Sequence, residues 1–214
     1  KTIIFMIITT AILVVLWIWS PVMNTSTFTL IYSTQLLLAV SVSTMTHNHQ
    51  HLPMWKKKGL NILTDNWLTI FYGFPVFAWI PTHNLNHHRH INTEEDYTKT
   101  YRFSEKNNLL TLLSYPSISG YFQQKVVGSY LWKLKSDNKK KFYFSCLQIA
   151  SLIIWIAAAL ILDWKKALMF VVIPQQLSLF AVLIFNYVQH IHADEETPFN
   201  NSRNFTGSIL NYLL

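Results

Sequence analysis

Nine histidines fall into three clusters: His47, His49 and His51; His83, His87, His88 and His90; and His190 with His192. Each cluster lies where a strongly apolar segment meets a polar one. Neutral imidazole is the commonest protein metal ligand and suits iron, zinc, copper and nickel. On a helix, residues four apart share a face. His47 and His51 have that spacing, as do His83 and His87, and Asn186 and His190. Each pair can offer two side chains to one metal region, as paired helical histidines do in zinc proteases. His88 points about 100° away from His87 on such a helix, so adjacent histidines can reach different metals. His49, His90 and His192 fall off these faces and read as supporting or incidental. A lone interfacial histidine is usually a satisfied polar residue, whereas three clusters with helical spacing predict a metal centre. Cys146 is the only cysteine and sits in an apolar stretch, so an intrachain disulfide is excluded and a thiolate ligand is disfavoured.

The elements that must position these histidines are written in the composition. The 214 residues are 51% hydrophobic and only 13% charged, which is too apolar for an ordinary soluble domain. Four uncharged stretches account for this: Thr2 to Trp19, Phe28 to Thr46, Phe142 to Leu162 and Ala167 to Asn186, of 18, 19, 21 and 20 residues. About 20 apolar residues in a helix cross a bilayer, so four spans are expected. The first could instead be a signal peptide, but it is long for one and no small-residue cleavage pattern precedes Pro21. Buried helices of a soluble protein are excluded because too little polar chain remains to cover them.

Thirteen of the 17 basic residues lie between His47 and Lys141, including Lys56–Lys58 and Lys139–Lys141 beside span ends. Positive residues stay on the cytoplasmic side. The middle segment 47–141 is therefore expected in the cytoplasm, with both termini, and all three histidine clusters share that face. The net charge of +7 fits attraction to anionic lipid head groups, and no nucleic-acid motif accompanies it. Within the middle segment, Trp67 to Pro81 reads as an interfacial or re-entrant helix broken by Gly73 and Pro75, and Leu109 to Trp132 reads as lying on the membrane. Asn92 to Asn108 is charged and is expected to be solvated. The expected fold is an all-α membrane protein: two hairpins of membrane helices carrying a cytoplasmic helical cap, forming one domain.

These residues resemble the membrane fatty acid desaturase and hydroxylase superfamily, integral di-iron enzymes with ordered histidine boxes. The first box, His-x(3–4)-His, is matched at His47 and His51, and the second, His-x(2–3)-His-His, at His83, His87 and His88. The Asn-x-x-x-His element near the last span is matched at Asn186 and His190. The resemblance implies that these seven residues are metal ligands for two irons, with dioxygen as co-substrate and a fatty acyl lipid as substrate. It implies desaturation, or hydroxylation of lipid, alkane or carotenoid substrates by the same ligand pattern. Electrons are then expected from a separate ferredoxin or cytochrome-type donor, since no haem-attachment or iron–sulfur cysteine motif is present. The family's final His-x-x-His-His box is absent before Leu214, although Asn200 to Leu214 resembles the approach to it. The chain is accordingly expected to be truncated at its C-terminus, short of residues before Lys1, and inactive as it stands. Two readings of other classes compete. A histidine-rich metal transporter would carry ionisable residues within its spans, and these spans contain almost none. A structural or regulatory membrane protein would bind no metal.

Overall fold

The computed structural model describes residues 2–193 and Ser202. The elements among the described residues are all helical, with no strand, as the composition predicts. Contacts divide the chain into two compact units, Lys1–Val76 with Leu147–Leu179 and Phe77–Cys146 with Phe180–Leu214.

The first unit holds α1 (Thr2–Trp19), α2 (Thr25–His51) and α3 (Lys58–Tyr72), together with parts of α6 (Lys139–Ala167) and α7 (Ile173–His190). α1 has the expected bounds. Pro21, in the 3-10 turn Ser20–Val22, cannot continue it, and Asn24 restarts the chain by accepting from the Thr27 amide at 2.9 Å. α2 runs on through His51, whereas the apolar stretch ends at Thr46. The first histidine cluster therefore occupies the last turns of a long apolar helix rather than a separate segment.

Among the described residues three helical stretches are long and apolar enough to cross a membrane: Thr2–Val22, Thr25–His51 and Lys139–His190. The last spans 52 residues and contains both of the final two expected spans. It is interrupted at Asp163, whose backbone is extended (φ −162°, ψ 100°). The Asp163 carboxylate accepts from the Lys165 and Lys166 amides at 3.1 Å each, so it caps a new helix start.

Leu13, Leu16, Ala159, Ala167, Phe170 and Val171 form the buried apolar cluster of this unit. Within such surroundings every backbone polar group needs an internal partner. Pro174 creates a local shortage because it lacks an amide hydrogen. The chain winds as a π-turn over Leu168–Val172, with the Ile173 amide donating to Leu168 O. The carbonyls of Met169 and Phe170 would otherwise look to the missing donor. α2 supplies both: Tyr32 Oη donates to Met169 O at 3.2 Å and Gln35 Nε2 to Phe170 O at 2.8 Å.

The segment 67–81, expected as one broken helix, is divided instead. α3 begins at Lys58 and ends at Gly73, whose left-handed backbone (φ 84°) lets its amide reach Thr69 O at 3.0 Å. Gln175 covers this turn and donates to Ile70 O at 2.7 Å. A 3-10 turn (Val76–Ala78) and a π-turn (Ile80–His87) follow.

The second unit contains that π-turn, the short α4 (His88–His90), α5 (Leu109–Asp137) and the end of α7. Asn108 caps α5 by accepting from the Thr111 amide at 3.0 Å. α5 exposes Leu109, Leu110, Leu113, Tyr121 and Trp132 while burying Tyr115 against Tyr187 and Ile191. The connection 91–108 is not uniformly solvated: Asn92, Asp96, Thr98 and Thr100 are buried.

A Cβ at position 73 would lie 2.5 Å from Gln175 Cβ, and the backbone there is left-handed. Gly73→Ala is expected to destabilise the purified protein by more than about 2 kcal/mol. Gly120→Ala and Gly128→Ala have open space and helical backbone, so they should be neutral or stabilising by up to about 1 kcal/mol. Thermal melts followed by circular dichroism in detergent would compare the three.

Candidate metal centre

At the end of α2 the His47 and His51 rings lie edge to face with centroids 4.7 Å apart, one helical turn from each other. His49 points elsewhere and is only 5% exposed. Its Nδ1 accepts from the Met54 amide at 3.0 Å, which puts the ring proton on Nε2, 3.4 Å from Asp65 Oδ1. Gln50 donates to the same oxygen at 2.9 Å. Both nitrogens of His49 are thus spent on joining α2 to α3, and neither is free to hold a metal.

In the second unit the helical spacing expected of the second cluster is altered by the π-turn over Ile80–His87. Pro81 cannot donate, and Thr82 Oγ1 satisfies Ala78 O at 2.8 Å. A π-turn closes over five residues rather than four, as such bulges often do at functional sites. His83 therefore meets His88 edge to face at 4.5 Å, five positions on, and stacks on His87 at 5.2 Å. The expected pairing of His83 with His87 alone is replaced by a trio. His87 turns its Nε2 to within 3.1 Å of His190 Nε2, the last residue of α7.

The orientation of His87 has a clear cause. Asp96 is fully buried, and its Oδ2 lies 2.8 Å from His87 Nδ1 while also accepting from the Asn92 amide at 2.8 Å. Its Oδ1 accepts from the Thr98 amide and hydroxyl, both at 2.8 Å. Burial alone would push the Asp96 carboxyl up. The hydrogen bond from His87, with those from the Asn92 and Thr98 amides, outweighs it and holds Asp96 below its ordinary value. An ionised Asp96 accepts a hydrogen bond from His87 Nδ1–H and so leaves the Nε2 lone pair available, the arrangement of a carboxylate–histidine–metal triad. Two imidazole nitrogens about 2.1 Å from one ion at 90–109° would be about 3.0–3.4 Å apart. The observed separation of His87 and His190 fits that, and imidazole donors suit iron as they do zinc, copper and nickel.

A second layer supports the pair. Asn92 adopts a left-handed backbone (φ 60°) while fully buried, a conformation asparagine tolerates better than most. Its Nδ2 donates to His190 O at 2.7 Å, and its Oδ1 accepts from the Thr100 amide and hydroxyl at 3.0 Å. Arg102 donates to Asp96 O at 2.6 Å and lies over the Phe122 ring. Tyr115 Oη donates to Thr98 O at 2.7 Å and receives Asn186 Nδ2 at 2.5 Å. Burial pushes the Tyr115 phenol far above its usual range, so it stays a donor.

Asn92, Asp96, Thr98 and Tyr115 were not visible as site residues in the sequence. Their only signal is a cluster of Asn, Asp and Thr directly after the second histidine group. His192 is exposed and stacked on Tyr101 at 6.2 Å, and the His90 carbonyl closes a turn with the Thr93 amide at 2.8 Å. The stretch 200–214, expected to approach a further histidine box, lies outside the described residues apart from Ser202.

The sequence matches the family described as Fatty acid desaturase over residues 21–214. The chain belongs to the fatty acid desaturase family. No curated protein and no solved structure matches it. Members of this family are membrane oxidoreductases that act on fatty acyl chains and use iron, which accords with the apolar helices and clustered histidines of this desaturase family member.

Asp96→Ala would leave His87 Nδ1 and the Asn92 and Thr98 amides without their acceptor. Iron content measured by plasma mass spectrometry after dialysis should show affinity reduced about 10–100-fold. His49→Ala should lower the melting temperature yet retain iron.

Proposed function

We propose that this protein is an oxygen-dependent desaturase that introduces a double bond into a fatty acyl chain with two bound irons. The observation that carries the reading is the His87–His190 nitrogen pair, oriented by buried Asp96, in a chain of the desaturase family. The ligands in this reading are His47, His51, His83, His87, His88, Asn186 and His190.

Two irons bound there supply dioxygen activation and removal of hydrogen from an unactivated C–H bond. The chain's own residues hold, orient and exclude. Neutral imidazoles would present a ring-nitrogen lone pair, and in His87 this is Nε2 because Nδ1–H donates to Asp96. The surrounding apolar helices keep water from the acyl chain and place one carbon beside the centre, which is catalysis by positioning. Electrons come from a separate ferredoxin or cytochrome-type donor.

The proposed topology has four spans in two hairpins, with the histidines on the cytoplasmic side. Support for the second hairpin comes from Asp163 and from what flanks it. Gln148 accepts from Thr69 Oγ1 at 3.5 Å while Gln175 donates to neighbouring Ile70 O. In a straight helix these glutamines would be about 40 Å apart. Support for the orientation comes from Lys56–Lys58 and Lys139–Lys141.

Gas chromatography of lipids from cells expressing the full-length protein, final histidine box included, should reveal an unsaturated acyl product that disappears with an iron chelator, whereas the 214 residues alone should yield none. Replacing His47, His51, His83, His87, His88 or His190 by Ala should abolish it, while His192→Ala should keep measurable activity. A hydroxylated product in its place would make this a hydroxylase. Full activity in His87→Ala would overturn the ligand assignment, and metal uptake without product would favour a transporter.

A further inference from the structure

Asn186 meets the phenol of Tyr115 at 2.5 Å, and hydrogen counting fixes which end of the amide is involved. A tyrosine hydroxyl has a single hydrogen to donate. The Thr98 carbonyl, 2.7 Å away, can only accept, so it takes that hydrogen. The phenol oxygen is then left with lone pairs alone. Any group meeting it must donate, so Asn186 presents its Nδ2 to Tyr115. Its carbonyl oxygen, in the same plane on the other arm of Cγ, therefore points away from the phenol. The distinction matters because an amide nitrogen carries no lone pair suited to a metal, whereas the carbonyl oxygen does. Asn186 lies one helical turn before His190 on α7.

The anchor is itself fixed. Thr98 is tied by its amide and hydroxyl to Asp96, the carboxylate that sets the His87 proton. Tyr115 is 3% exposed and held by Tyr187 and Ile191, so its ring has little freedom to move away.

We infer that Tyr115 is a positioning residue that orients the Asn186 amide so that its oxygen, not its nitrogen, faces the metal centre. This rests on the reading of Asn186 as a ligand. Through Thr98, one short loop then governs two unlike donors: the tautomer of His87 and the amide of Asn186.

The test uses purified protein titrated with Co2+ alone, read by visible absorption and by metal content, with melting temperature measured in parallel. Tyr115→Phe keeps the packed ring and removes the oxygen. It should weaken Co2+ binding about 10-fold and alter the ligand-field bands. Asn186→Asp offers two equivalent oxygens and needs no orienting. In that background Tyr115→Phe should change affinity by less than about threefold, a coupling that a simple loss of packing would not produce. Equal losses in both backgrounds, or an unchanged Co2+ spectrum in Tyr115→Phe, would overturn the orienting role. Asn186→Ala separates the two ideas. If it leaves Co2+ affinity unaltered, Asn186 is no ligand and the reading beneath falls. If it weakens binding while Tyr115→Phe does not, only the role of Tyr115 is refuted.

Discussion

A carboxylate with no access to water governs the second unit. Moving an ionised group out of water costs several kcal/mol unless partners converge on it. Asp96 gathers them from His87, Asn92 and Thr98, and the chain between residues 91 and 102 folds as it does to bring those donors together. Arg102 reaches back to the Asp96 carbonyl, and Asn92 accepts a strained backbone while bonding to the last turn of α7. The loop is rich in directed contacts. Its shape is dictated by polar satisfaction around a single buried charge.

The same imidazole ring does different work according to which nitrogen carries the proton. In His49 a backbone amide claims Nδ1, so Nε2 holds the hydrogen and the ring becomes a tie between helices. In His87 a carboxylate claims the Nδ1 hydrogen, and Nε2 is left as a donor of electrons. Neither assignment depends on how near the residue stands to other histidines in sequence. His49 lies between two residues of the first box and His87 within the second, and only their neighbours in space separate the roles.

Much of the fold could be read from apolar run length, since that measures directly whether a helix can be covered. α1 has the bounds that its uncharged stretch gives, and the all-helical class follows from the same runs. The departures have physical causes. α2 continues past its apolar run because helical hydrogen bonding does not stop where hydropathy falls. The final two runs join in one helical stretch, and its break at Asp163 falls in the charged gap 163–166 that separates them in the sequence. For the candidate centre, the i, i+4 neighbours His47 with His51 and His83 with His87 were legible, but the contact of His83 with His88 was not. The pairing rule assumed hydrogen bonds four residues apart, and the π-turn beyond Pro81 makes them five. Asp96 was hidden because composition cannot tell it from Glu94 and Glu95, which lie exposed beside it.

The proline in α7 has a further consequence, one of measurement along an axis. Orphaned carbonyls at Met169 and Phe170 are a mark at one height and one rotation, and Tyr32 and Gln35 of α2 read it. A purely apolar contact would let α2 slide or turn by small amounts at little cost, because lipid and side chains are alike in polarity. The two hydrogen bonds remove that freedom. His47 stands 12 residues beyond Gln35 on the same helix, about 18 Å along its axis. A defect in one backbone thus acts as an index pin for another helix, setting the depth at which its histidines emerge.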